Sequence, residues 1–138
     1  MKGKADLVRA LIKKAESDLA IVEMCLAKEK SLDAACFHAQ QAAEKYLKAY
    51  LTANGKEFPF VHNLEKLVQL CSEGDEAFLT VKDVAQGLSP YAVQARYDTD
   101  FWPSLDTARQ AREATERIRR FVLSRLPPEV TINDQNDA

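Results

Sequence analysis

Residues 32–53, LDAACFHAQQAAEKYLKAYLTA, decide the fold. Cys36, Ala39, Ala43, Tyr46, Leu47 and Tyr50 recur at three- and four-residue intervals, the repeat of an α-helix. The run is rich in alanine, the best helix former. Ala35, Ala39, Ala42 and Ala43 carry so little bulk that another helix can approach closely. Asn54-Gly55 ends the run, because glycine accepts the left-handed C-cap conformation. Off this stripe stand His38, Gln41, Lys45 and Lys48, again three and four apart. An imidazole, an amide and two ammonium groups on one face suit a phosphate or a base. The plain alternative is the solvated face of any amphipathic helix. Phe37 lies beside that polar face and implies a second packing surface, from the C-terminal segment or another subunit.

Working outward, a first helix is expected over about 5–27, with Leu7, Val8, Leu11, Ala15, Leu19, Val22 and Leu26 inward. Residues 28–31 are polar and break the pattern. Downstream, 56–61 is a loop with Pro59 between Phe58 and Phe60. A third helix is expected over 63–71, capped by Asn63, with Leu64, Leu67, Val68 and Cys71 inward. A turn at 72–75 leads to a weaker fourth helix over about 76–86. The segment YAVQARYDTDFWP, 91–103, shows no clear helical period and reads as an irregular connector. A last helix starts near Pro103 or Ser104, with Ala108, Ala111, Thr115, Ile118, Val122 and Leu126 inward, and Pro127-Pro128 ends it. The expectation is an all-α protein: a single-domain, up-and-down helical bundle of four to five helices over 1–126, with a disordered polar tail over 127–138.

Composition narrows the function classes. At 138 residues the chain suits one core, and 46% hydrophobic residues are too many for a disordered protein. A net charge of −2 lacks the basic excess of a dedicated duplex-DNA binder, so any nucleic-acid contact must be local. No apolar run approaches about 20 residues, and the N-terminal pattern is interrupted by charge, so neither a membrane helix nor a secretory signal is read. A cytoplasmic location is expected. Cys25, Cys36 and Cys71 are unpaired in spacing and read as small buried hydrophobes. With two histidines and no Cys–His cluster, no metal is assigned.

Three further constellations carry chemistry. The last helix has six arginines between Arg109 and Arg125, interleaved with acids as two ladders, Arg109–Glu113–Arg117 and Arg112–Glu116–Arg120. It is either a supported exposed helix or an anion patch. In the connector, Arg96 stands between Tyr91 and Tyr97, with Asp98 and Asp100 following. A guanidinium fixed there by a ring or a carboxylate can orient a nucleotide phosphate; a rigid connector is the alternative. His62 precedes the third helix with no nucleophile or carboxylate nearby in sequence, and reads as a loop anchor. Glycine-rich phosphate loops, nucleophile elbows and HExxH are absent.

The ordered set CFHAQQAAEKYLKAYLTANGKEFPFVHNLEKLVQLC (36–71) and PYAVQARYDTDF (90–101), with the arginine-rich last helix, resembles the HEPN domain family, over about 5–126. The resemblance implies a compact helical bundle that forms homodimers. It also implies a minimal nucleotidyltransferase as partner in a toxin–antitoxin-type pair. One branch of the family comprises metal-independent endoribonucleases whose site joins an Arg to a His with four to six residues between them. Here the positions five to seven after Arg96 are Phe101, Trp102 and Pro103, so the histidine that would activate an RNA 2′-hydroxyl is missing. The resulting expectation is a non-catalytic, nucleotide-binding or partner-binding subunit, with no cofactor and no catalytic residue. Arg96 would hold a phosphate of a nucleotide or RNA. Tyr91 and Tyr97 would shape the pocket, stack on a base or be modified by the partner, with His38, Gln41 and Lys45 as secondary contacts. The alternatives are a divergent endoribonuclease toxin using His38 or His62, and a purely structural dimeric module.

Overall fold

The structure, a computed structural model, describes residues 3–130. Among them it has six α-helices and no strand: α1 Lys4–Lys28, α2 Leu32–Ala53, α3 Leu64–Ser72, α4 Lys82–Leu88, α5 Tyr91–Tyr97 and α6 Leu105–Arg125. A 3₁₀ turn over Glu76–Val81 precedes α4. The all-α bundle is as expected, with two differences. The fourth helix is split, because Asp75 caps the 3₁₀ turn by accepting the Ala77 N–H at 3.0 Å. The connector contains α5. Its period is hidden because Ala92 alone is buried while apolar Val93 and Tyr97 face solvent.

α2 is the centre. Ala35, Ala39, Ala42, Ala43 and Ala49 are all fully buried, and α1, α3, α5 and α6 pack around them. Small side chains on several faces make this close approach possible. The polar face of His38, Gln41, Lys45 and Lys48 is therefore partly covered: Lys48 is buried and the other three are half-buried, and Gln40 and Glu44 beside them are buried as well. Thr115 of α6 donates its hydroxyl to the Ala39 carbonyl at 2.8 Å, locking α6 against α2.

Local signals behave as their chemistry requires. Gly55, just past the end of α2, has φ of 71°. Asn63 Oδ1 accepts the Lys66 N–H at 3.1 Å, and Ser104 Oγ accepts the Thr107 N–H at 3.1 Å, so each caps its helix. Cys36 and Cys71 are fully buried free thiols; burial pushes Cys36 up to about 11 and Cys71 up to about 12. They are packing residues with almost no thiolate at neutral pH.

On α1 the buried stripe is Val8, Ile12, Ala15, Asp18, Val22 and Leu26; Leu7 lies outside it, half-exposed. The arginine ladders of α6 are also redirected. Arg112 and Arg119 reach Glu23 and Glu16 of α1 at 3.4 Å, and Arg117 donates to the Thr80 carbonyl at 2.7 Å. The cause is that α6 packs beside α1 and the 3₁₀ turn, which offer acceptors across the gap. Val130 is buried against the core. Residues 131–138 of the expected tail lie outside the described residues.

Candidate functional site

α5 sets Arg96 against α2. Its guanidinium carbon lies 5.0 Å from the ring centroid of Phe37 and 5.0 Å from that of Tyr97. Its Nε donates to the Ala92 carbonyl at 3.2 Å. Among the described residues no carboxylate neutralises it; Asp98 instead accepts the backbone N–H of Asp100 at 3.0 Å. The side chain is exposed. Two rings and one carbonyl thus orient an exposed guanidinium whose terminal N–H groups make no hydrogen bond among the described residues, so they are available to take a phosphate through two parallel bonds. Tyr97 and Trp102 are 68% and 76% exposed, which leaves ring faces open to a base.

Phe37 meets the His38 ring edge-on, with centroids 5.2 Å apart. His38 Nδ1 donates to Asp18 Oδ1 at 2.8 Å, and the second oxygen of Asp18 accepts from the Lys45 ammonium. A continuous row therefore runs from Arg96 through Phe37 and His38 to Asp18 and Lys45, across α5, α2 and α1. Asp18 is buried, whereas the side chains of His38 and Lys45 are 26% and 25% exposed. The carboxylate engages both side chains, so they are weaker anion receptors than Arg96. It also fixes the imidazole orientation and leaves Nε2 as the other ring position.

The other polar groups of α2 form a separate network. Gln41 donates to Gln40 at 2.8 Å, and Gln40 donates to the His62 carbonyl at 2.9 Å. Glu44 accepts from His62 Nδ1 at 2.8 Å and from the Lys48 ammonium at 3.0 Å. Burial pushes the Glu44 carboxyl up, but the hydrogen bonds and charges of His62 and Lys48 outweigh it and hold the group below its ordinary value. His62 thus anchors the loop after α2, as read from sequence.

The six expected site residues divide accordingly. Arg96, Tyr97, His38 and Lys45 belong to one row. Gln41 belongs to the Glu44 network. Tyr91 packs on Phe101, centroids 5.6 Å apart, at the edge of the core, and burial raises its phenol. Asp18 and Trp102 were not singled out from sequence. Asp18 had a signal: it falls between Ala15 and Val22 at helical spacing, an acid inside an apolar stripe. Phe37 had one too, as an aromatic off the core stripe. No group of three or more His, Cys, Asp or Glu among the described residues is placed to hold a metal. No helix among them is long and apolar enough to cross a membrane.

The HEPN domain model matches residues 8–126. Two solved structures are similar. One is TT1696 from Thermus thermophilus, at 25% identity and TM-score 0.77, covering 86% of this chain and 98% of that one. The other is ST0689, described as an archaeal HEPN homologue, at 23% identity and TM-score 0.71, covering 92% of this chain and 100% of that one. No curated protein matches.

Proposed function

Because this chain belongs to the HEPN domain family, we propose that it binds a nucleotide phosphate at Arg96 and acts as the non-catalytic subunit beside a minimal nucleotidyltransferase. The observation that carries the binding step is the exposed, carboxylate-free guanidinium of Arg96 held between Phe37 and Tyr97. A guanidinium already stacked loses less freedom on gripping a phosphate than one on a loose side chain. Tyr97 and Trp102 supply stacking faces for the base. HEPN domains are known to dimerise, and a second copy would close the site from the open side of α5. The nucleotidyltransferase partner and the toxin–antitoxin pairing rest on family resemblance.

Titration with ATP and AMP, followed by calorimetry, tests the binding step. Arg96→Ala is expected to abolish binding. It should lower Tm by no more than about 2–4 °C, since an exposed cation–π contact is worth about 0.5–1 kcal/mol. A large loss of stability with binding unchanged makes Arg96 scaffolding and overturns the reading.

The row itself favours a second reading, a divergent metal-independent ribonuclease. His38 is oriented by Asp18 and sits one ring away from Arg96, so an imidazole and a phosphate-binding guanidinium share one stretch of surface. In this reading His38 Nε2 takes the proton of an RNA 2′-hydroxyl while Arg96 holds the scissile phosphate. Cleavage of a single-stranded RNA in the presence of a chelator, lost in His38→Ala, would support it. The same cleavage by wild type and His38→Ala, or none by either, would remove it.

A further inference from the structure

Two phenylalanines flank Pro59, and the fold treats them oppositely. Phe58 packs against the core, with the Lys48 ammonium 5.0 Å from its ring centroid. Phe60 is 98% exposed. The cause is local: the Val61 N–H donates to the Pro59 carbonyl at 2.9 Å, which closes a three-residue turn with Phe60 at its apex. Both sides of that turn are pinned. Phe58 and Val61 rest on the core, and His62 is tied to Glu44 at 2.8 Å and to Gln40 at 2.9 Å. A scattered exposed apolar residue is ordinary. A phenyl ring held outward on a fixed turn is different, because its backbone is already ordered and docking costs it little further freedom.

Beside the turn lies an open groove of about 250 Å³ between the start of α1 and the end of α2. Leu7, Ala10, Leu11 and Phe58 supply its apolar lining, with Thr52 and Lys14 as the polar members. Leu7 is half-exposed along it. The groove has room for a phenyl ring, and Phe60 of the same chain does not fill it, since that ring stands in solvent. Two opposite charges stand at the same place: Lys14 lines the groove, and Glu57 precedes Phe58. Both are exposed, and neither has an ion-pair partner among the described residues. One surface therefore carries a knob, a hole, a base and an acid, each unmet within the chain. A two-fold contact answers all four at once, because each copy offers what the other lacks.

We propose that this face pairs two copies of the chain about a two-fold axis. Phe60 of each copy enters the groove of the other, and Lys14 of each meets Glu57 of the other. The contact lies at the far end of α2 from the Arg96 row, since Phe37 and Thr52 are about 22 Å apart along the helix. It adds to any pairing through α5 and does not replace it, so failure of either leaves the other standing.

Sedimentation equilibrium of the full chain over a dilution series is the test, with circular dichroism to show that each variant is folded. Wild type is expected at twice the mass of Phe60→Ser, whether that variant is itself a monomer or a dimer through α5. Phe60→Ser should weaken the contact by about a hundredfold or more, because a two-fold interface loses the ring twice. Ala10→Phe, which fills the groove, should also halve the mass. Lys14→Glu and Glu57→Lys should each weaken association by about threefold, and the two together should restore it. A wild type no heavier than Phe60→Ser overturns the proposal and leaves the groove to a different protein or a small apolar ligand. Association lost in Phe60→Ser but kept in Ala10→Phe overturns the seating of the ring in the groove. Charge reversals that add instead of cancelling overturn the two-fold arrangement.

Discussion

Replacing Asp18 with alanine tests the join between α1 and the candidate site. Asp18 is 7% exposed and accepts from His38 and Lys45, which lie 20 and 27 residues further along the chain. Without the carboxylate, an imidazole and an ammonium remain beside a void, with only about a quarter of each side chain in solvent. Removing one partner of a fully buried pair costs about 3–5 kcal/mol. Partial solvent access lets water meet both donors, which brings the expected loss to about 2 kcal/mol. For a chain of this size each kcal/mol moves the midpoint by about 4 °C, so Tm should fall by about 8 °C. Thermal melts by far-UV circular dichroism near neutral pH measure it. His38→Ala and the double variant complete the cycle, and the double variant should lose about 1 kcal/mol less than the two singles together. A fall in Tm under about 2 °C for Asp18→Ala, or strict additivity in the cycle, refutes the view that this carboxylate holds the row together.

Three further outcomes follow from the same geometry. Glu44 has its folded-state pKa held below its unfolded value, so its contribution to stability is present above the unfolded pKa and fades as pH falls through the folded one. Denaturant melts across this acidic range should therefore show wild type losing its advantage over Glu44→Gln as pH falls; a constant gap would contradict it. Ala42→Leu, at a fully buried position on α2, should destabilise by about 1–3 kcal/mol through overpacking, read in a urea titration, and a neutral result would mean α2 is not closely surrounded. Thr115→Val removes the buried hydroxyl bond to the Ala39 carbonyl and should cost about 1 kcal/mol in the same assay; no loss would mean that bond is not formed.

Much of the bundle is legible in sequence because helical periodicity is local. The stripe of α2, the stop at Asn54-Gly55, the cap at Asn63 and the start of α6 at Ser104 each depend on residues within about one turn of one another. α5 escapes the same reading. Its seven residues bury only Ala92, and Val93 and Tyr97 turn outward, so the burial pattern that marks a helix is not written into it. The split before α4 escapes too, since a 3₁₀ turn and an α-helix share nearly the same spacing at that length.

The site divides along the same line. Arg96 can be picked out from sequence because a guanidinium flanked by tyrosines and carboxylates is chemically conspicuous over a few residues. Its free charge cannot, since Asp98 and Asp100 stand close enough in sequence to pair with it and in three dimensions do not. His38 and Lys45 share a helix face by spacing alone. That Asp18 occupies both depends on how α1 docks, and one turn of difference in that docking would leave them solvated.

The sequence by itself therefore determines the helices, their ends and the apolar faces, because hydrogen bonding within four residues and a 3.6-residue repeat are properties of a short window. Tertiary structure alone decides which polar faces stay wet and which acids meet which bases. Those outcomes turn on contacts between residues 18 to 103 positions apart, where an ångström of packing separates an ion pair from an open charge.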